Sequence, residues 1–159
     1  MTRIVIAPAQ VRSLISLHQL FAEAVRAHFT YFPDSVQRRV IRDHAPHRLL
    51  RAALDPRRIV LTAREGRRII GYAIGAAPKT GPAQLFWLYV DPDYRGANTG
   101  LSLLSRMLKL LAACGAESVT IATHDHRSYY ERQGFKFVEE AIVDGVRMDI
   151  LTFKLQGHH

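Results

Sequence analysis

The stretch VDPDYRGANTGLSLL, residues 90–104, decides how the rest of the chain is organised. It is entered from LFWLYV, residues 85–90, a continuous apolar run of the kind found in a strand covered on both faces, and therefore expected at the centre of a sheet. The run stops at Asp91-Pro92, and a loop carrying Gly96 and Gly100 leads into a helical pattern over residues 99–113. Leu101, Leu104, Leu108 and Leu111 fall on one stripe there, with Ser102, Arg106 and Lys109 opposite and Gly115 as the expected C-terminal stop. The first backbone N–H groups of such a helix lack intrahelical partners, and its dipole adds partial positive charge. With the full charge of Arg95, the turn is suited to receive phosphate. A plain strand-to-helix turn, with glycines for tightness, would use the same residues. Neither a G-x-x-x-x-G-K-[ST] loop nor a G-x-G-x-x-G fingerprint is present, which argues against nucleotide hydrolysis.

Working outward, VTIAT, residues 119–123, is the next strand, so residues 84–123 predict a right-handed βαβ unit. Upstream, IVLTA (59–63) and RIIGYAIGA (68–76) flank the turn REGR as a hairpin, with Gly71 and Gly75 weakening its second strand. The chain opens with a strand over residues 3–7 that Pro8 stops. A long helix follows, with Leu14, Leu17, Phe21, Val25 and His28 on its pattern. Pro33 breaks it and Asp34 is the expected N-cap of a second helix, which Pro46 divides, so residues 34–54 predict two short helices ending at Asp55-Pro56. Downstream, a short helix over Arg127–Arg132 ends at Gly134. FKFVEEAIV and VRMDILTFKL are then joined by Asp144-Gly145, a strong two-residue hairpin signal. The order β α α β β β α β α β β predicts a mixed α/β fold, mostly antiparallel apart from the βαβ pair.

The composition agrees with a folded domain. At 159 residues the chain is long enough for one domain, and 48% apolar with 23% charged residues is ordinary for a globular core. No apolar stretch approaches the roughly 18 residues of a membrane span, and Arg12 and His18 interrupt what would be a secretory signal, so no membrane partner is expected and the location reads as cytoplasmic. The single cysteine, Cys114, excludes an internal disulfide and a Cys-based metal cage, and reads as helix-end packing. The net charge is +8, and Arg38 to Arg68 holds ten arginines against Asp43, Asp55 and Glu65. That surplus suits nucleic acid, acidic proteins or a phosphorylated ligand, and equally a solvated helix face. His158 and His159 read as native or as the stub of a tag.

VDPDYRGANTGLSLL resembles the acetyl-CoA signature of the GNAT (Gcn5-related) N-acetyltransferases, a strand followed by [QR]-x-x-G-x-[GA] at a helix start. The family's second hallmark, a tyrosine four residues before a Gly-Phe pair, is matched by Tyr130 in YYERQGF, residues 129–135. The similarity is close over residues 58–155 and holds in outline over the first 57, within one domain of residues 1–157. There is one departure: Asn98 stands where the family has its middle glycine. Asparagine tolerates the left-handed conformation and caps helices, so the turn can survive, with a side chain that either binds the pyrophosphate or narrows its slot.

The resemblance implies a GNAT fold, a mixed, mostly antiparallel sheet with a central parallel pair and helices on both faces. It implies acetyl-CoA as co-substrate, no metal, and direct attack of a primary amine on the thioester. By that correspondence the pantetheine arm pairs with backbone at Leu88, Tyr89 and Val90, where an N–H also stabilises the oxyanion. The pyrophosphate is taken by N–H groups of Arg95, Gly96, Ala97, Asn98, Thr99, Gly100 and Leu101. Tyr130 would face the departing sulfur; a phenol of pKa near 10 protonates a thiolate near 8.5 only uphill, by about 2 kcal/mol, so hydrogen bonding is the safer role. The alternative for Tyr129 and Tyr130 is core packing. No carboxylate lies within residues 83–90, which leaves His124 and His126, after the next strand, as candidate bases against a solvated loop. The acceptor, a small-molecule amine or a protein amine, is expected between the first helices and the last hairpin, near Tyr31, Phe32, Arg38, Arg42 and Asp144. Two alternatives are a non-catalytic CoA-binding regulatory module and an acetyltransferase acting on a nucleic-acid-associated target through Arg38–Arg68. A homodimer stays open.

Overall fold

The computed structural model describes residues 3–155; His158 and His159 lie outside the described residues. In chain order the elements are β1 (Ile4–Pro8), α1 (Leu14–His28), α2 (Asp34–Asp43), α3 (Pro46–Leu54), β2 (Arg58–Glu65), β3 (Arg68–Ala76), β4 (Ala83–Val90), α4 (Thr99–Ala113), β5 (Ser118–Thr123), α5 (Arg127–Arg132), β6 (Lys136–Val143) and β7 (Val146–Lys154). The strands form one seven-stranded sheet in the order β1-β2-β3-β4-β5-β7-β6. The β4–β5 pair is parallel and every other pairing antiparallel, as the helix between those two strands requires. β4 occupies the middle.

Alternation along the strands divides the core into two layers. Leu61, Ala63, Ile70, Ala73 and Leu85 face α4, whose Leu103, Leu104, Met107 and Leu111 are buried against them. Val60, Ile69, Tyr72, Ile74 and Tyr89 point the other way, under Leu17, Phe21 and Val25 of α1 and Val40 and Leu49 of α2 and α3. The expected stripe on α4 needs one correction. Leu101 is 41% exposed, because it sits in the first turn, while Leu103 and Met107 take the sheet-facing positions.

Proline and glycine chemistry sets the boundaries. α2 and α3 are separate helices because Pro46, at the first turn of α3, cannot donate into α2. Pro33, rather than Asp34, is the N-cap of α2. Pro8 is paired at the end of β1, where an edge strand tolerates a missing N–H. Asp144 and Gly145 both have positive φ, 52° and 79°, as a type I′ turn demands. Gly75 has a reason beyond the turn inventory: a Cβ there would lie 2.9 Å from the Gln84 carbonyl oxygen and 3.1 Å from Met107 Sδ. The two glycines expected to weaken β3 instead allow its neighbours to approach; at Gly71 the Tyr89 carbonyl oxygen would be only 2.8 Å from a Cβ.

Candidate active site

The central parallel pair is zipped only at its start. β4 and β5 are in register at Ala83 with Val119, Gln84 with Thr120 and Leu85 with Ile121, and then part. The cause lies on the other side of β4. Against β3, Ile74 faces Trp87 and Gly75 faces Leu85, so Phe86 is the extra residue of a β-bulge just beyond the last pair with β5. Such a bulge bends the strand that carries it and increases its twist. β4 is therefore covered less completely than a continuous apolar run suggests, and Phe86 is 45% exposed.

The gap opens into a cavity of about 870 Å³, bounded by Leu88, Tyr89 and Val90 on one side and by Thr123, His126 and Tyr130 on the other. At one end stands the start of α4. Gly96 (φ 94°) and Asn98 (φ 60°) turn the backbone through left-handed conformations. Asparagine thus replaces glycine where an αL residue is needed, although its side chain makes no capping hydrogen bond, contrary to the capping expectation. The first helical bond runs from Ser102 N to Asn98 O, 2.9 Å. Among the described residues, the N–H groups from Gly96 to Leu101 donate to no backbone carbonyl. Six consecutive donors and a helix dipole are thus free at this end, where Gly96, Asn98, Thr99, Gly100 and Leu101 line the cavity and Ala97 does not. Arg95 and Arg132 also line the cavity; Arg95 Nε donates to the Val90 carbonyl at 3.0 Å, holding its charge beside the strand end. The Asp91 side chain accepts from Asp93 N at 3.0 Å, fixing the turn before it.

Tyr130 lies on α5, its ring edge-on to Phe135 at 5.5 Å and beside Tyr129 at 5.2 Å. Burial, helped by Tyr129 and Tyr31, pushes its phenol well above the ordinary value. Tyr129 is the less buried of the two, and its hydroxyl stands 3.8 Å from where a Cβ on Gly100 would be, beside the helix start.

The two histidines part company. His126 lines the cavity, with its backbone N–H donating to Thr123 Oγ1 at 3.2 Å. The His124 ring is stacked on Tyr31 at 4.2 Å, with Nδ1 3.2 Å from the Arg147 carbonyl oxygen and Nε2 3.4 Å from Asp125, and it is not part of the cavity wall.

The far end of the cavity is aromatic, a feature the sequence reading did not single out. Phe29, Phe32, Trp87, Val143 and Met148 line it, and Asp144 is the carboxylate on the wall. Phe32, Val146 and Met148 pack as a small separate core joining the α1–α2 connection to the β6–β7 hairpin. Arg39 on α2 clasps Asp144 at 2.6 Å across that same junction. Of the segments expected near the acceptor, Phe32 and Asp144 line the cavity, Tyr31 covers His124, and Arg38 and Arg42 are exposed outside it. The arginine-rich segment brings Arg48, Arg51 and Arg58 together on a second, smaller cavity of about 450 Å³. It spans α2, α3 and the β2–β3 hairpin, and Arg39, Arg48, Arg57, Arg64 and Arg68 are engaged with Asp144, Asp43, Ala77, Gly66 and Asp91. Among the described residues no three His, Cys, Asp or Glu side chains cluster to hold a metal ion, and no helix is long and apolar enough to cross a membrane.

Fold and cavity together define a class: an α/β protein with the architecture of the GNAT acetyltransferases. The structure superposes on a PaiA N-acetyltransferase from Thermoplasma acidophilum, solved in complex with coenzyme A, with a TM-score of 0.79 at 21% identity over 96% of this chain and 99% of that one. It superposes on YncA from Salmonella typhimurium, solved with its cofactor acetyl-CoA, with a TM-score of 0.72 at 17% identity over 99% and 97% of the two chains. The model of the acetyltransferase (GNAT) family matches residues 17–135, and the chain belongs to that family. A protein of Mycobacterium tuberculosis named as an uncharacterized N-acetyltransferase is 33% identical over 109 residues, covering 66% of this chain and 64% of that relative's length.

Proposed function

We propose that the protein is an acyl-CoA-dependent N-acyltransferase that moves acetyl from acetyl-CoA to a primary amine by direct attack, acting in the cytoplasm as one domain. One observation carries this reading: the parted β4–β5 pair ends at a helix start whose donors, Gly96 to Leu101, are unspent. The donor set fits a diphosphate, the gap fits an extended arm running along Leu88, Tyr89 and Val90, and the cationic Arg95 and Arg132 suit the remaining phosphate charge. When bound, acetyl-CoA supplies the activated thioester.

The chain's own residues then position and polarise. A backbone N–H in the segment Leu88–Val90 is the proposed donor to charge developing on the carbonyl oxygen. Tyr130 is proposed as the hydrogen-bond donor to the leaving sulfur. Its raised pKa makes full proton transfer harder than for an ordinary phenol and leaves a neutral donor over a wider pH range. His126, open to the cavity, is the better placed of the two histidines to take a proton from the amine. His124 is proposed to hold the Tyr31 segment in place.

The test is calorimetry with CoA, followed by thiol release from acetyl-CoA against a panel of primary amines. Saturable binding and release with at least one amine are expected; binding without release from any amine would leave a CoA-binding module and no enzyme. Tyr130→Phe is expected to retain CoA binding and to lower turnover by roughly tenfold or more, since a well-aimed donor to developing charge is worth up to about a hundredfold to a thousandfold. Unchanged turnover would remove Tyr130 from the mechanism.

A further inference from the structure

Resting on the transferase reading, we infer that the acceptor is a small monoamine with an apolar, ring-sized body, bound amine-inward between Trp87 and Phe32. The cavity is polarised along its length. Its phosphate end carries the free N–H groups and Arg95, whereas its other end is walled by Phe29, Phe32, Trp87, Val143 and Met148.

The aromatic wall is built in advance. Trp87 meets Phe21, Phe29 and His44 edge-on, with ring centroids at 5.1, 5.3 and 5.8 Å and interplanar angles of 82°, 90° and 89°. Three perpendicular neighbours fix one ring orientation, so a planar guest meets a rigid surface and loses little free energy to side-chain ordering.

Charge narrows the class further. Asp144 is the carboxylate lining the cavity, and Arg39 already occupies its Oδ1 at 2.6 Å. Among the described residues no second carboxylate lines the cavity, and its arginines, Arg95 and Arg132, are the ones proposed for the phosphates, so a polycation would find little compensation at the aromatic end. An acceptor with its own carboxylate gains little at this end, because the arginine there is spent on Asp144. A monoamine with an apolar body avoids both costs. Its ammonium is also driven towards the neutral, nucleophilic form by an apolar surround. Size follows from the clasp. The Arg39–Asp144 pair and the Phe32–Val146–Met148 cluster tie the α1–α2 connection to the β6–β7 hairpin across this end, which favours a small molecule over a protein chain.

Trp87 is the only tryptophan in the chain, so its emission reports on this end directly. With the CoA complex, 2-phenylethylamine should quench or shift Trp87 emission saturably, whereas spermidine and free lysine should not. In thiol release, kcat/KM for 2-phenylethylamine should exceed those for spermidine, lysine and a lysine-containing peptide by about tenfold or more, the scale on which a filled apolar pocket discriminates. Phe32→Leu, which keeps an apolar side chain, should raise KM for 2-phenylethylamine several-fold and leave the CoA affinity unchanged. If CoA binds and another amine class is preferred, or Trp87 ignores 2-phenylethylamine, the acceptor inference is overturned while the transferase reading stands. If CoA does not bind, both fall.

Discussion

Two residues in unusual states make the clearest cases at the smallest scale. The Tyr72 hydroxyl is fully buried without a hydrogen-bond partner, between Phe21 and Tyr89. An orphaned buried hydroxyl costs about 1–3 kcal/mol of desolvation, so Tyr72→Phe should raise stability, by roughly 1 kcal/mol, in urea unfolding. A loss of stability would mean that the hydroxyl is satisfied after all. Asn98 is the second case. Its φ of 60° is strained for most residues with a Cβ, by about 1–2 kcal/mol. Asn98→Gly should therefore leave folding and CoA affinity close to the parent, whereas Asn98→Ala should weaken CoA binding by roughly the same energy, because the strain falls on the turn that aims the N–H groups. Calorimetry on the two variants compares them directly; equal affinities would show that the turn is not held by this dihedral.

At the scale of elements, what the sequence reveals depends on whether a pattern is periodic. The Asp144-Gly145 hairpin was legible because its turn needs two positive φ angles, and few dipeptides supply them. The helix after Asn98 was legible from its leucine spacing, and the turn before it from its glycines. The bulge at Phe86 was not, since LFWLYV is apolar on both faces and an inserted residue leaves no break in an alternation that is already absent. The aromatic end was hidden for a related reason: Phe29 and Phe32, Trp87 and Met148 come from three separate segments, and of these residues only Phe32 was expected near the acceptor. The bulge also explains the placement of Gly75, which faces Leu85 beside it with no room for a Cβ. Gly75→Ala should force the β3–β4 backbones apart and cost about 1–3 kcal/mol. Because the same shift moves the edge along which the cofactor arm is proposed to lie, CoA affinity should fall with the thermal midpoint. A variant that loses stability but binds CoA as before would uncouple the bulge from the site.

For the molecule as a whole, the distribution of tyrosine sets a limit at alkaline pH. Burial pushes the phenols of Tyr31, Tyr72, Tyr89, Tyr129 and Tyr130 above their ordinary value of 10, with Tyr31 raised to about 12. The unfolded chain releases these protons near pH 10, while the folded chain holds them to higher pH. Between those values the unfolded state binds fewer protons than the native one, so stability falls as pH rises. The contribution is complete below about pH 10 and is progressively lost towards pH 12, the reverse of the carboxylate behaviour that governs acid unfolding. Urea midpoints measured at about pH 8, 9 and 11 should be flat over the first interval and drop over the second. Tyr72→Phe removes one of the most deeply buried phenols and should make that drop shallower, independently of its effect at neutral pH. A midpoint that holds through pH 11 would mean that these rings ionise in place, and that the two core layers admit water far more freely than their packing implies.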